Sequence, residues 1–191
     1  MASKTEELLQ ELIDVSDPYR KARRAGEYES AMATSAIAGL VVRPTTVAAI
    51  TFHNRAQSGG KSLIIDRLFS HCLVSSAVQT FFNLWYCMHP NDVVVIPVNS
   101  ITTLRGSGDA SGDDLGNVFV EVGRTVVNDG WFPCGREGTV SASGTTPQGT
   151  SEWEVDGRLV VPPGASMSLH VVSALTGDTF TSGASWYRTQ L

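Results

Sequence analysis

Two kinds of hydrophobic pattern divide the chain. Near the start, Leu8, Leu9, Leu12, Ile13 and Val15 recur at helical spacing and form one apolar stripe. Ser3 followed by Glu6 fits a capping box, and Glu6 and Glu7 suit the positive end of the helix dipole. Asp17-Pro18 ends this helix, because the residue before a proline is pushed out of the α region. A second helical stretch runs from Tyr19 to about Ala25 and carries Arg20, Lys21, Arg23 and Arg24. Residues 27–38 are small and weakly patterned, and read as a further helix or an extended arm.

From there on the period changes. Val, Thr, Ile, Phe, Trp and Tyr gather in short runs broken by Gly, Pro, Asn and Asp. The runs predict strands over 40–43, 46–53, 62–74, 78–89, 93–98, 117–127, 158–161, 166–175 and 179–188. No helical pattern falls between them, which argues for a sandwich or jelly roll over a βαβ fold. The chain therefore reads as mainly β, with a jelly-roll or β-sandwich body over 39–191 and a short helical arm over 1–38. Gly59-Gly60 and Thr176-Gly177-Asp178 read as hairpin turns, and Pro162-Pro163-Gly164 as a break that no central strand tolerates. The Gly- and Ser-rich segments 101–117 and 135–157 read as long exposed loops.

One strand is unusual. Along 78–89, Val78, Phe82, Leu84, Tyr86 and Met88 share one face, while Phe81, Trp85 and Cys87 share the other. Both faces are apolar, so both are expected to be covered, either by a neighbouring subunit or by the chain's own loops. The first case makes Phe81, Trp85 and Cys87 subunit-interface residues.

Composition sharpens the picture. Charged residues are 17% of the 191, below the level of an ordinary soluble domain, and residues 1–30 hold 12 of the 33. The body surface is thus rich in Ser, Thr, Gly and apolar groups, some of it suited to a partner. A net charge of −5 argues against a general nucleic-acid binder. The basic cluster at 20–24 sits among Asp14, Asp17, Glu27 and Glu29, so its field is small, and a protein contact or simple solvation is favoured. No apolar run reaches the roughly 18 residues of a membrane span, and the first residues lack the apolar stretch of a secretory signal. Three irregularly spaced cysteines, Cys72, Cys87 and Cys134, fit a reducing compartment better than a disulfide framework.

Chemical motifs are weak. Gly59-Gly60-Lys61-Ser62 looks like the end of a phosphate-binding loop, but Arg55 stands where a glycine is required and β-like sequence follows. There is no Gly-x-Ser-x-Gly elbow. Cys87 and His89 share a strand face, but without the close cysteine pairs of tight zinc sites they read as a buried thiol and a satisfied core histidine. Asp109, Asp113 and Asp114 lie in a Gly-rich loop without EF-hand spacing, as in many flexible acidic loops. Glu152 and Glu154 flank Trp153, whose ring could stack on a sugar; a solvated hairpin is the plainer reading. No catalytic residue, metal or cofactor is expected, and the chain reads as a non-enzymatic structural or interaction protein.

Two stretches carry a family resemblance. One is Val47-Ala48-Ala49-Ile50-Thr51-Phe52-His53-Asn54, Gly59-Gly60-Lys61, then Ser62 to Leu68 and the aromatic run to His89. The other is Gly157 to Gly164, Met167 to Leu175, Thr176 to Thr179 and a last strand through Trp186-Tyr187-Arg188. Together they resemble trimeric jelly-roll proteins of virus particles, particularly bacteriophage capsid cement (decoration) proteins and spike modules. The resemblance implies a homotrimer on the capsid surface of a virion, made in the host cytoplasm, that binds the major capsid protein and stabilises the lattice, with no nucleic-acid or membrane partner. It also implies a capsid-facing arm, for which Leu8, Leu9, Leu12, Ile13, Arg20, Lys21, Arg23 and Arg24 are the candidate contacts. The alternative is a receptor- or carbohydrate-binding head of a tail fibre or spike, using a host surface glycan and Trp131 or Trp153 as stacking platforms. A β-sandwich enzyme acting on glycans is a third class.

Overall fold

A computed structural model of the chain describes Lys4 and residues 28–55, 60–76, 80–90, 100–101, 103–105, 118–140 and 148–189. The arm residues Leu8, Leu9, Leu12, Ile13, Arg20, Lys21, Arg23 and Arg24, and the acidic loop Asp109, Asp113 and Asp114, lie outside them, as does the strand expected at 93–98. Twelve strands are found among the described residues: β1 (Tyr28–Met32), β2 (Ile37–Ala38), β3 (Ile50–Asn54), β4 (Ser62–Val74), β5 (Thr80–His89), β6 (Ser100–Ile101), β7 (Leu104–Arg105), β8 (Val118–Val122), β9 (Trp131–Val140), β10 (Gln148–Val161), β11 (Ala165–Ser173) and β12 (Thr179–Thr189). No helical element is found among the described residues.

The strands form two antiparallel sheets. Sheet A runs β10-β4-β12-β1-β7, with β2 also on β12; sheet B runs β6-β8-β3-β11-β5-β9. The core lies between them. Met167, Leu169 and Val171 alternate inward along β11, and Phe180, Ala184 and Trp186 do so along β12. Phe52 and Trp186 meet edge to face at 5.5 Å, and Phe82 packs on Phe180 at 4.8 Å. The mainly β reading of the body is the observed one.

Several local expectations are corrected. Both glycine turns read as hairpins are crossings between sheets, since β3 and β4, like β11 and β12, belong to different sheets. A turn signal marks where a strand ends; it does not say whether the next strand pairs beside it or across the core. The segment 135–157, expected as a loop, is largely the long strands β9 and β10. Bulges hide their alternation: the register shifts between Phe82 and Leu84 on the β9 side, and between Glu154 and Leu159 in β10. Gly149, at φ +64°, brings β10 so close to β9 that a Cβ there would meet the Thr139 carbonyl oxygen at 2.2 Å. Residues 28–38, assigned to the arm, form β1 and β2 and belong to sheet A, because β12 offers both of them hydrogen-bonding partners.

Two buried polar clusters fix how the strands close. In the first, Glu29 of β1 accepts from Trp186 Nε1 at 2.9 Å and from Arg188 NH2 at 2.5 Å, and its side chain is almost wholly buried. In the second, Asp178 receives the Ser173 hydroxyl at 2.5 Å, the Ser75 hydroxyl at 3.1 Å and the Ser76 N–H at 3.0 Å. This ties the ends of β4 and β11 to the start of β12. Burial alone would push the Asp178 carboxyl up, but the hydrogen bonds from Ser173, Ser76 and Ser75 outweigh it and hold the group below its ordinary range.

Two outcomes follow. Arg188→Met leaves Glu29 buried without its cation and is expected to lower unfolding free energy by about 3 kcal/mol, read from urea denaturation. Asp178 has a depressed folded pKa, so its stabilisation is present above the unfolded carboxylate pKa and is lost as pH falls through the folded value. Asp178→Asn should lower the melting temperature at neutral pH and flatten its fall in acid; an unchanged acid profile would count against this role.

Candidate functional site

The outer face of sheet B is polar but closed to solvent. Alternation along β11 puts Ser166, Ser168 and His170 on that face, yet all three are buried. Thr51 and His53 of β3, Glu121 of β8, and Cys87 and His89 of β5 join them, equally buried. The cover comes at least in part from the chain itself. Residues 45–49 and 123–131 fold over β3 and β5 through Ala48 N to Arg124 O (2.9 Å), Val126 N to Thr46 O (2.8 Å) and Trp131 Nε1 to Thr45 O (2.8 Å). Ala48, Cys87 and Trp131 make a small second core there, with Trp85 and Val126 against it.

Within this face a hydroxyl, an imidazole and a carboxylate stand in line. Ser168 Oγ lies 2.9 Å from His89 Nε2, and His89 Nδ1 lies 2.9 Å from Asp129 Oδ2. Ser168 Oγ is also 2.9 Å from Thr51 Oγ1. The order is that of a nucleophile, a base and its orienting acid. The setting differs: Ser168 is fully buried in mid-strand, paired with both Thr51 and Cys87. These contacts give the buried Ser168, Thr51 and His89 side chains hydrogen-bond partners. A parallel cluster holds the neighbouring strands, with Arg124 NH1 2.8 Å from both Glu121 Oε2 and His53 Nε2. His170 is pushed below its ordinary pKa by burial, and its Nδ1 accepts from the Val171 N–H at 2.8 Å.

The residues expected at a subunit contact separate. Phe81 is 51% exposed, whereas Cys87 is completely buried and Trp85 packs against the chain's own second core. The apolar outer face of this strand is thus covered in large part by the chain's own segments, which removes Cys87 from any subunit contact. Trp131, one of the two proposed stacking platforms, is 3% exposed and cannot serve as one.

Trp153, the other platform, is placed differently. It is half-buried on β10 and lines an open cleft of about 560 Å³ with Gly135, Arg136, Glu152 and Glu154. The cleft lies where β9 and β10, the edge strands of the two sheets, come side by side. Tyr86 packs on Trp153 at 5.6 Å and on the exposed Phe132 at 5.8 Å. Arg158 reaches back over Trp153 at 5.7 Å and donates to the carbonyls of Val155 (2.8 Å) and Glu154 (2.7 Å). Glu152 is ion-paired with Arg67. The sequence showed Glu152, Trp153 and Glu154 as neighbours; Gly135, Arg136 and Tyr86 join them only through the strand pairing.

No known protein-family model matches the chain, and no curated protein matches it in sequence. No group of three or more His, Cys, Asp or Glu among the described residues is arranged to hold a metal ion.

The thiols yield a direct check. Burial pushes Cys134 up to about 12; burial, then the nearby Asp178 charge, pushes Cys72 up to about 11; burial also raises Cys87. Because the thiolate is the reactive form, all three free thiols should label slowly with a disulfide reagent at pH 8 in the native protein and promptly after unfolding. Rapid native labelling of any of them would contradict this packing.

Proposed function

We propose that this chain is a non-enzymatic virion structural protein: a homotrimeric capsid cement protein with a jelly-roll body, which binds the major capsid protein and stabilises the lattice. The observation that carries the reading is the strand order. Within sheet A, β1-β12-β4-β10 are neighbours; within sheet B, β3-β11-β5-β9 are neighbours. Taken in chain order, these eight strands follow the pattern of two interleaved four-stranded jelly-roll sheets, with β6, β7 and β8 as an insertion between the fourth and fifth of them. The alternation of Ser and apolar residues on β11, and the apolar interior shared with β12, support the same reading.

The threefold contact is assigned to the outer face of sheet A. Register there aligns Met32, Gly183 and Phe69 in one row and Tyr28, Tyr187, Ile64 and Val160 in another, with Ser30, Ser185, Arg67 and Glu154 in the row between them. Gly183 lets the Phe69 ring lie flat on the sheet, since a Cβ would meet it at 2.6 Å. Met32 and Leu104 are each 48% exposed on this face. A second copy covering it would remove these apolar groups from water. The arm is then residues 1–27, and three copies on one trimer raise the effective concentration of each capsid contact.

Light scattering coupled to size exclusion should give about three times the 20.4 kDa chain mass. Met32→Asp with Leu104→Asp should reduce it to that of one chain. Removing residues 1–27 should keep the trimer and abolish co-sedimentation with assembled capsids. A monomeric native protein would overturn the quaternary reading, and a truncated trimer that still binds capsids would overturn the role of the arm.

A further inference from the structure

We propose that the cleft at Trp153 is a binding site for a neutral saccharide, separate from the capsid contact. Three features of the cleft converge on this ligand class. Its size suits a sugar unit or two, at about 560 Å³. It offers one aromatic group: Trp153 lines it, with Tyr86 packed on the ring at 5.6 Å and the Arg158 guanidinium 5.7 Å from the ring centre, and Phe132, 57% exposed, lies beyond Tyr86 outside the lining. A pyranose has a face of C–H groups that packs on such rings and a rim of hydroxyls that both donate and accept hydrogen bonds.

The polar groups match that rim. Arg136 supplies donors only and Glu154 acceptors only, and both are exposed beside the ring. A hydroxyl can satisfy both at once, which a purely anionic or purely cationic ligand cannot. Charge bookkeeping favours a neutral ligand as well. Glu152 is paired with Arg67, and Asp156 lies 3.9 Å from Arg158. Among the described residues of the lining this leaves one cation, Arg136, and one anion, Glu154.

The backbone builds the cleft in advance. At the β10 bulge Asp156 (φ +51°) and Gly157 (φ +73°) take left-handed conformations, which turn Arg158 back over Trp153. The two carbonyls that Arg158 holds fix its guanidinium there. On the facing strand Gly135 (φ +74°) allows β9 to approach, since a Cβ would sit 2.9 Å from the Glu152 carbonyl oxygen. A site that is already shaped loses little conformational freedom on binding.

The test uses the full chain and isothermal titration with maltohexaose, cellohexaose, mannohexaose and chitohexaose, and with sialyllactose as an anionic comparison. At least one neutral oligosaccharide should bind saturably at millimolar concentration. Trp153→Ala should weaken it by about tenfold or more. The double variant Arg136→Ala/Glu154→Gln changes only exposed side chains and should weaken it to a similar degree, so it carries the test if Trp153→Ala loses its native near-ultraviolet circular dichroism. No binding by any of the four neutral sugars, unchanged binding in the double variant, or a preference for sialyllactose each overturns the proposal. Solution mass is read separately, so a trimer that binds no sugar removes this site and leaves the quaternary reading intact.

Discussion

The contact between β11 and β12 across the core is what the rest of the molecule depends on. Each is a central strand of its own sheet, with partners on both sides. Their inward residues, Met167, Leu169 and Val171 against Phe180, Ala184 and Trp186, join the two sheets into one buried cluster. The seven residues from Ser173 to Thr179 must reverse the chain and carry it from one sheet to the other. Asp178 makes that corner specific, because its carboxylate gathers hydroxyl and N–H donors from the ends of both flanking elements. Moving this corner would displace the middle of both sheets together.

The second constraint is the polar outer face of sheet B. Burying His53, His89, Glu121, Thr51 and Ser168 would be costly without partners. The structure meets the cost with linked hydrogen bonds, in which Asp129 and Arg124 come from the segment that covers the face. The cover and the covered strands therefore specify each other. The chain of Ser168, His89 and Asp129 links the covering segment to β5 and β11.

The edges of the sandwich do the opposite. Where β9 and β10 approach, bulges and left-handed residues break the regular ladder and leave an open cleft lined by Trp153 and charged side chains. The saccharide proposal rests on this edge, and the proposed threefold contact on the outer face of sheet A, which Glu152 and Glu154 join through their register with Phe69 and Arg67.

What could be read from the residues alone was set by local physics. The bounds of β4 at 62–74 were legible, because a largely apolar run with Ile64, Ile65, Phe69 and Val74 lies between a Gly-Gly turn and a Ser-Ser break. The same holds for β11 and β12, whose apolar and small or polar residues alternate, and for β5, whose run is apolar on both faces. The Trp153 neighbourhood was half legible: the flanking carboxylates are adjacent in sequence, while Gly135 and Arg136 arrive from another strand. Tertiary structure alone decided three things. It showed that 135–157 is largely strand, because pairing with β4 and β5 tolerates bulges that erase a period of two. It showed that the glycine turns cross between sheets, because a turn's residues encode its bend and not the destination of the chain. It also showed that Ser166, Ser168 and His170 face the chain's own cover and not water, because alternation tells which residues share a face but not what lies above it.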